Sequence, residues 1–399
     1  MSFNPQDFIT PGVRDLPPSG IRKFFDLVTE MKDVISLGVG EPDFVSPWHV
    51  REACVYSLEK GYTMYTSNYG LPELRYEIAQ YLDQRFGVAY DEKKEIIVTV
   101  GASEAVDIAL RTICSPGDEV LIPEPCYVSY KPCVALTGAI PIVIPTTVEN
   151  EFKLTPQMLE TYITPKTKAI ILSYPNNPTG AVMTGEELAA LCKVIVKHNL
   201  IVVSDEIYAE LTYDGVHTCI ASLPEMRDRT ILINGMSKAF AMTGWRIGYL
   251  CAHEDFIENM VKIHQYTMLC APIMGQKAAI EAFRSCRKEV DRMREEYDQR
   301  RRIIYKRMQD MGLEVFEPKG AFYIFPSIQN TGLSSEEFAG ALLKEEKVAV
   351  VPGSAFADCG EGFLRCSYAS SIKKITLAMD RMERFVSKRI TTSLQDCHN

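Results

Sequence analysis

Uninterrupted apolar runs alternate with helical periodicity through the middle of the chain. From residue 95 the runs are "EIIVTV", "EVLIPEP", "AIPIVIP", "KAIILSYP", "LIVVSDE", "RTILING" and "RIGYLCA". Strands that read this way are covered on both faces, which predicts a buried, mostly parallel sheet. Between them "SEAVDIALRTI" and "TGEELAALCKVIVKHN" predict helices, the second opened by a Thr184 cap and an acidic first turn. Upstream, "SPWHVREACVYSLEKG" predicts a helix capped by Ser46 with Pro47 at its first position, and "DLVTEMKDVISLGVGEP" ends in a short strand and turn. The alternation makes the fold class α/β.

The pattern changes near residue 288. There "KEVDRMREEYDQRRRIIYKRMQDM" predicts one long charged helix, followed by short strands ("AFYIF", "VAVVPG", "GFLRCSYA") mixed with helices. This predicts an arm over 1–45 that packs with the smaller domain, a large domain over 46–287, and a smaller α+β domain over 288–399 bridged by the 288–311 helix.

Composition narrows the function more than the fold. With 399 residues, 46% apolar and 24% charged, the chain is of ordinary globular character and large enough for two cores. A net charge of −9 disfavours nucleic acid as the main partner, so any basic site must be local. The 12 Cys lack paired spacing and read as reduced core thiols, and the 6 His form no ligand cluster, so no metal is expected. No run reaches the length of a membrane span and the start lacks the pattern of a signal peptide, which together predict a cytoplasmic protein without a membrane partner.

In parallel sheets, ligands bind beyond the carboxyl ends of the strands. The residues following the runs are Gly101-Ala102-Ser103, Asn176-Asn177-Pro178, Asp205 and, after a short turn, Lys238. Small residues opening a helix suit a phosphate, although an ordinary Ser103-capped helix accounts for that stretch equally well. Asp205 ends a buried run, where a carboxylate needs a cation such as a pyridinium or an ordinary salt bridge. Tyr208 would share its side of the turn and could donate to a ring oxygen, or simply pack. Lys238, among Met236, Ala239 and Phe240, should be poorly hydrated and hold its proton less tightly than a surface lysine. Arg246 and Arg365 each adjoin a buried strand with no acid beside them, so each needs an anion, supplied by a ligand or by an ion pair. Phosphate cradle, Asp for a ring nitrogen, Asn for a ring oxygen, Lys for an aldehyde and two Arg for two anions are together what pyridoxal 5′-phosphate and an amino acid require.

The motifs "YTSNYGLPELR", "YPNNPTGAV", "SDEIY", "SKAFAMTGWRIGY", "PKGAFYIFP" and "VPGSAF" carry a family resemblance that runs from about Ile21 to about Val386. The chain resembles the class I aminotransferases of pyridoxal-phosphate fold type I, most closely their prokaryotic aspartate/aromatic subgroup. That resemblance implies a large cofactor-binding domain with a sheet of seven-stranded type. It implies Lys238 as the Schiff-base (aldimine) lysine, Asp205 at the ring nitrogen, Asn177 and Tyr208 at the ring hydroxyl, and Tyr127 stacked on the ring. Ala102, Ser103 and Arg246 then match the phosphate site, Gly40, Asn177 and Arg365 the substrate carboxylate, and Tyr65 a residue lent to the neighbouring subunit's phosphate, hence a homodimer with shared sites.

The chain departs from the aspartate-specific branch in two respects. Gly235 replaces a phosphate-binding Ser, with Ser237 not assigned as a ligand, and no motif supplies the partner's arginine for a side-chain carboxylate. The resemblance therefore implies transfer from an L-amino acid, aromatic favoured and aspartate admitted, to 2-oxoglutarate. A β-lyase of cysteine-conjugate type on the same site is the alternative, with cyclopropane-forming synthases a further relative. A nicotinamide dehydrogenase fails because "LGVGEP" lacks the third Gly opening a helix, and a regulator module is disfavoured, with the site set complete and no helix-turn-helix extension in the sequence. Closure of the smaller domain and arm over the substrate would exclude water.

Overall fold

A computed structural model describes residues 3–18, 20 and 31–396. Ile21–Glu30, where the resemblance begins, and Cys397 lie outside the described residues.

All seven apolar runs become strands of one sheet: β2 (Ile96–Thr99), β3 (Glu119–Glu124), β4 (Ile140–Pro145), β5 (Thr167–Leu172), β6 (Ile201–Asp205), β7 (Thr230–Gly235) and β8 (Gly248–Cys251), in the order β2-β8-β7-β6-β5-β3-β4. Alternate residues of one strand enter opposite cores, Ala169 and Ile171 on one face of β5 and Ile170 and Leu172 on the other. Helices 102–113 and 254–267 cover the first face, and helices 156–162 and 185–197 cover the second. Double coverage is why these strands are apolar throughout.

"RIGYLCA" departs from the expected direction. β8 runs antiparallel to both neighbours, β2 and β7, while β3 to β7 are mutually parallel. Since β2 opposes β8, which opposes β7, β2 shares the common direction and β8 alone is reversed. The carboxyl ends of six strands and the amino end of β8 therefore lie along one edge of the sheet.

Local signals hold for most helices. Thr184 caps the 185–197 helix through a reciprocal pair with Glu187. The helix Arg287–Asp310 is the long charged one expected. Ser46 is a correction: the helix Trp48–Glu59 begins after Pro47, and Ser46 Oγ instead donates to the Ala241 carbonyl at 2.6 Å and accepts from Trp245 Nε1 at 2.9 Å. Its hydroxyl is more valuable as a buried tie than as a cap.

The C-terminal part adds a three-stranded antiparallel sheet, β11 (Val351–Pro352), β12 (Leu364–Ser367) and β9 (Tyr323–Ile324), flanked by helices Ser335–Glu346 and Ile372–Asp396. β1 (Ile35–Ser36) pairs parallel with β10 (Val348–Ala349), tying the segment before the large sheet to the end of the chain. Among the described residues every cysteine is free, and no helix is long and apolar enough to cross a membrane.

Candidate active site

Beyond the common strand edge lies a cavity of about 440 Å³. Its wall holds nearly every residue the sequence singled out: Gly40, Ala102, Ser103, Tyr127, Asn177, Asp205, Tyr208, Lys238, Arg246 and Arg365. Most arrive by a strand end, while Arg365 projects from within β12. Ala102 and Ser103 follow β2, Tyr127 follows β3, Asn177 follows β5, Asp205 closes β6 and Lys238 follows β7. Arg246 precedes β8, and only the reversal of that strand brings it to this edge.

Lys238 projects into the cavity, where Nζ donates to the Gly40 carbonyl at 2.6 Å and lies 5.7 Å from the Tyr208 ring centre. Burial, then the positive charge of Arg365, bring its ammonium from the usual 10.5 down to about 8. An amine so placed is a nucleophile near neutral pH. Asp205 is buried, and burial raises its carboxyl above the ordinary range despite hydrogen bonds from Tyr130 Oη at 2.7 Å and from the Ile207 N–H at 3.1 Å. A cationic ring nitrogen would reverse that rise.

Arg365 is 2% exposed and has no carboxylate partner among the described residues. It donates to Asn177 Oδ1 at 3.1 Å and to the Gly38 carbonyl at 2.6 Å, lies over the rings of Tyr323 and Phe356, and leaves Nε without a partner. Burial pulls even its guanidinium below the usual value. A buried cation balanced only by carbonyls and ring faces calls for an incoming anion.

The opposite end brings a second cation, Arg246, against a helix start. The helix 102–113 starts directly after Gly101, whose φ of +81° is of the left-handed kind, and no side chain caps it. The expected alternative, a Ser103 cap, is therefore not what forms; the first N–H groups stay free of side-chain partners. A Cβ at Gly101 would collide with the Arg246 guanidinium, so the glycine lets the arginine lie against the turn. Arg246 donates to the carbonyls of Thr243 at 2.9 Å and Val100 at 3.4 Å.

Several wall residues carried no sequence signal. Tyr323 shares a 2.8 Å hydrogen bond with Tyr208 Oη and supports Arg365, yet "AFYIF" reads as plain core. Tyr130, donor to Asp205, looks like packing in "EPCYVSY". Glu41, Thr243 and Ser237 also line the cavity, Ser237 having been left unassigned. Tyr65 does not line it: its side chain is 80% exposed.

The family model "Aminotransferase class I and II" matches residues 32–382. This chain belongs to that family. It is 50% identical to an aspartate aminotransferase of Pyrococcus abyssi, covering 94% of this chain and 97% of that one. It is 48% identical to aromatic-amino-acid aminotransferase 2 of Thermococcus litoralis, covering 93% and 96%. Its fold matches the crystal structure of an aromatic aminotransferase from Pyrococcus horikoshii OT3 with a TM-score of 0.88 and 48% identity, over 92% of this chain and 99% of that one. The family's enzymes are pyridoxal-phosphate-dependent transferases. The residues here fit that cofactor: a buried carboxylate short of a cation, a lysine whose ammonium is destabilised by burial and by Arg365, and a glycine-cleared helix start facing an arginine.

Proposed function

We propose that this aminotransferase moves the amino group of an L-amino acid, aromatic donors favoured and aspartate also accepted, to 2-oxoglutarate, with Lys238 as the residue that takes up the cofactor aldehyde. The observation that carries this reading is the Lys238 amine, brought down to about 8 by burial and by Arg365, facing the same cavity as Asp205. Pyridoxal 5′-phosphate supplies an electron sink that stabilises the carbanion formed at the substrate Cα.

The remaining work falls to this chain. Asp205, held by Tyr130 and the Ile207 N–H, keeps a proton on the ring nitrogen. Asn177 and Tyr208 bond the ring hydroxyl, Tyr127 covers one ring face, and Ala102, Ser103 and Arg246 hold phosphate. Arg365 and Gly40 orient the substrate carboxylate, which sets the bond at Cα that breaks. With its amine free, Lys238 Nζ would take the proton from the substrate Cα and deliver it to the cofactor's aldehyde carbon, on the far side of the nitrogen.

The wall is compatible with an aromatic donor. Among the described residues it presents no cation apart from Lys238, Arg246 and Arg365, and its apolar part includes Val106, Cys133, Ile207 and tyrosine rings. Tyr65 completes a second subunit's phosphate site. Its exposure, with that of Trp48, Tyr56, Met64 and Tyr266, supports a homodimer that covers some of these side chains. Residues 288–399 and the 1–45 arm would close over the bound substrate.

Glutamate formation from 2-oxoglutarate tests the assignment. With Phe, Tyr, Trp and Asp compared as donors, kcat/KM is expected highest for an aromatic donor. Aspartate exceeding all three would overturn the preference, and pyruvate release without glutamate would overturn transfer itself.

A further inference from the structure

Beneath the turn that presents Ala102 and Ser103 lies a buried pair with no part in the roles given above. Glu104 sits in the first turn of the 102–113 helix. Its Oε2 accepts from the Val100 N–H at 2.5 Å, and its Oε1 shares a 2.5 Å hydrogen bond with Nδ1 of His264, 160 residues away on the helix Glu254–Thr267. His264 is fully buried, and its Nε2 has no partner. The Val100 carbonyl in turn accepts from Arg246. Val100 is thus gripped on its N–H by Glu104 and on its carbonyl by the arginine assigned to phosphate.

An acidic residue in the first turn of a helix is ordinary, because it meets the positive end of the dipole. The dipole explains neither the bond back to Val100, outside the helix, nor the burial of an imidazole with one nitrogen left unpaired. Both follow if the pair fixes the path of Val100 and Gly101, since that path aims the N–H groups of Ala102 and Ser103 and seats Arg246. We propose that Glu104 and His264 are positioning residues for the phosphate monoester of the cofactor. This rests on the reading that phosphate lies at Ala102, Ser103 and Arg246.

The test compares two ligands on the full-length chain, freed of cofactor by dialysis: pyridoxal 5′-phosphate and pyridoxal, which lacks the phosphate. The ratio of their dissociation constants isolates the phosphate contribution. In Glu104→Gln the Val100 N–H keeps an acceptor, but one that has lost its negative charge, so the ratio should fall about tenfold, the order expected for the charge assistance of one hydrogen bond, with pyridoxal affinity unchanged. His264→Leu should fall similarly, whereas His264→Asn, whose amide can occupy the place of Nδ1, should keep most of the ratio. Arg246→Ala is the control on the underlying reading and should collapse the ratio. If it does and the Glu104 and His264 variants leave the ratio intact, the positioning role is wrong and the phosphate site stands. An unchanged ratio in Arg246→Ala removes the phosphate site, and the proposal with it. Equal weakening of both ligands by Glu104→Gln marks a purely structural pair and overturns the proposal; should that variant not fold, the His264→Leu and His264→Asn contrast decides in its place.

Discussion

The two arginines of the cavity stand in opposite surroundings. Arg365 is sealed between Tyr323 and Phe356, tied to Asn177 and Gly38, and lowered in its affinity for protons by burial. Arg246 is exposed and, among the described residues, held by the backbone carbonyls of Thr243 and Val100. A sealed cation is costly until an anion arrives, so its end of the cavity discriminates strongly between a carboxylate and nothing. An open cation gains less from each contact and depends on the number of donors gathered around the anion. The sealed end is therefore read as selecting the substrate and the open end as retaining a phosphate that stays bound.

The largest expected effect lies between the two ends. Lys238→Ala should lower kcat by at least about 10⁴-fold, the upper range for a positioned acid–base group, and abolish borohydride-stable attachment of cofactor. Attachment that survives would place the reactive amine elsewhere. Next come the arginines themselves. Arg365→Ala should cost about 10²-fold in kcat/KM for the amino acid with cofactor content unchanged. Arg246→Ala should do the reverse, weakening cofactor retention while KM for the amino acid at saturating cofactor moves by less than about threefold. Loss of the same quantity in both variants would break the comparison.

Tyr130→Phe should act more mildly. Losing the donor to Asp205 leaves burial less opposed, so the carboxyl rises further and holds the ring proton less well; a decrease of about tenfold in kcat is expected, with little change in KM. An increase in amino-acid KM alone would move Tyr130 from the ring to the substrate.

The smallest effect is on stability. Lys238 has a folded value of about 8 against 10.5 for an ordinary lysine, so below pH 8 both folded and unfolded chains hold the proton and its full cost is present. Between about 8 and 10.5 the unfolded chain binds more protons, and the stability of the cofactor-free protein should rise with pH. Lys238→Met should remove that rise and add about 1 kcal/mol at pH 7, a modest figure because water can enter the cavity. Denaturant unfolding at pH 7, 9 and 10 reads the difference, and an unchanged slope would mean that the lysine is not desolvated.

The sheet was legible because double coverage leaves an unmistakable mark, seven apolar runs that became seven strands. Direction was not, since an apolar run carries no arrow, and β8 turned out reversed. Lys238, Asp205 and Asn177 could be found from chain order alone because each follows a strand of the common direction. Arg246 breaks that rule and was found through its charge in apolar company. Ser46 misled because a hydroxyl before Pro looks the same as a cap or as a tertiary tie to Ala241. Tyr323 and Tyr130 stayed invisible for a related reason: a tyrosine ring in an apolar stretch conceals the purpose of its hydroxyl. The link from Glu104 to His264 spans too much sequence for any local pattern to show.

Gly248 and Gly101 meet backbone to backbone, and a Cβ on Gly248 would strike the main chain of Gly101 and Ala102. No room exists there for a grafted side chain. If phosphate does sit here, its hold can be tuned only from the surroundings inward, through the groups that brace the loop, because the two glycines leave no space between them.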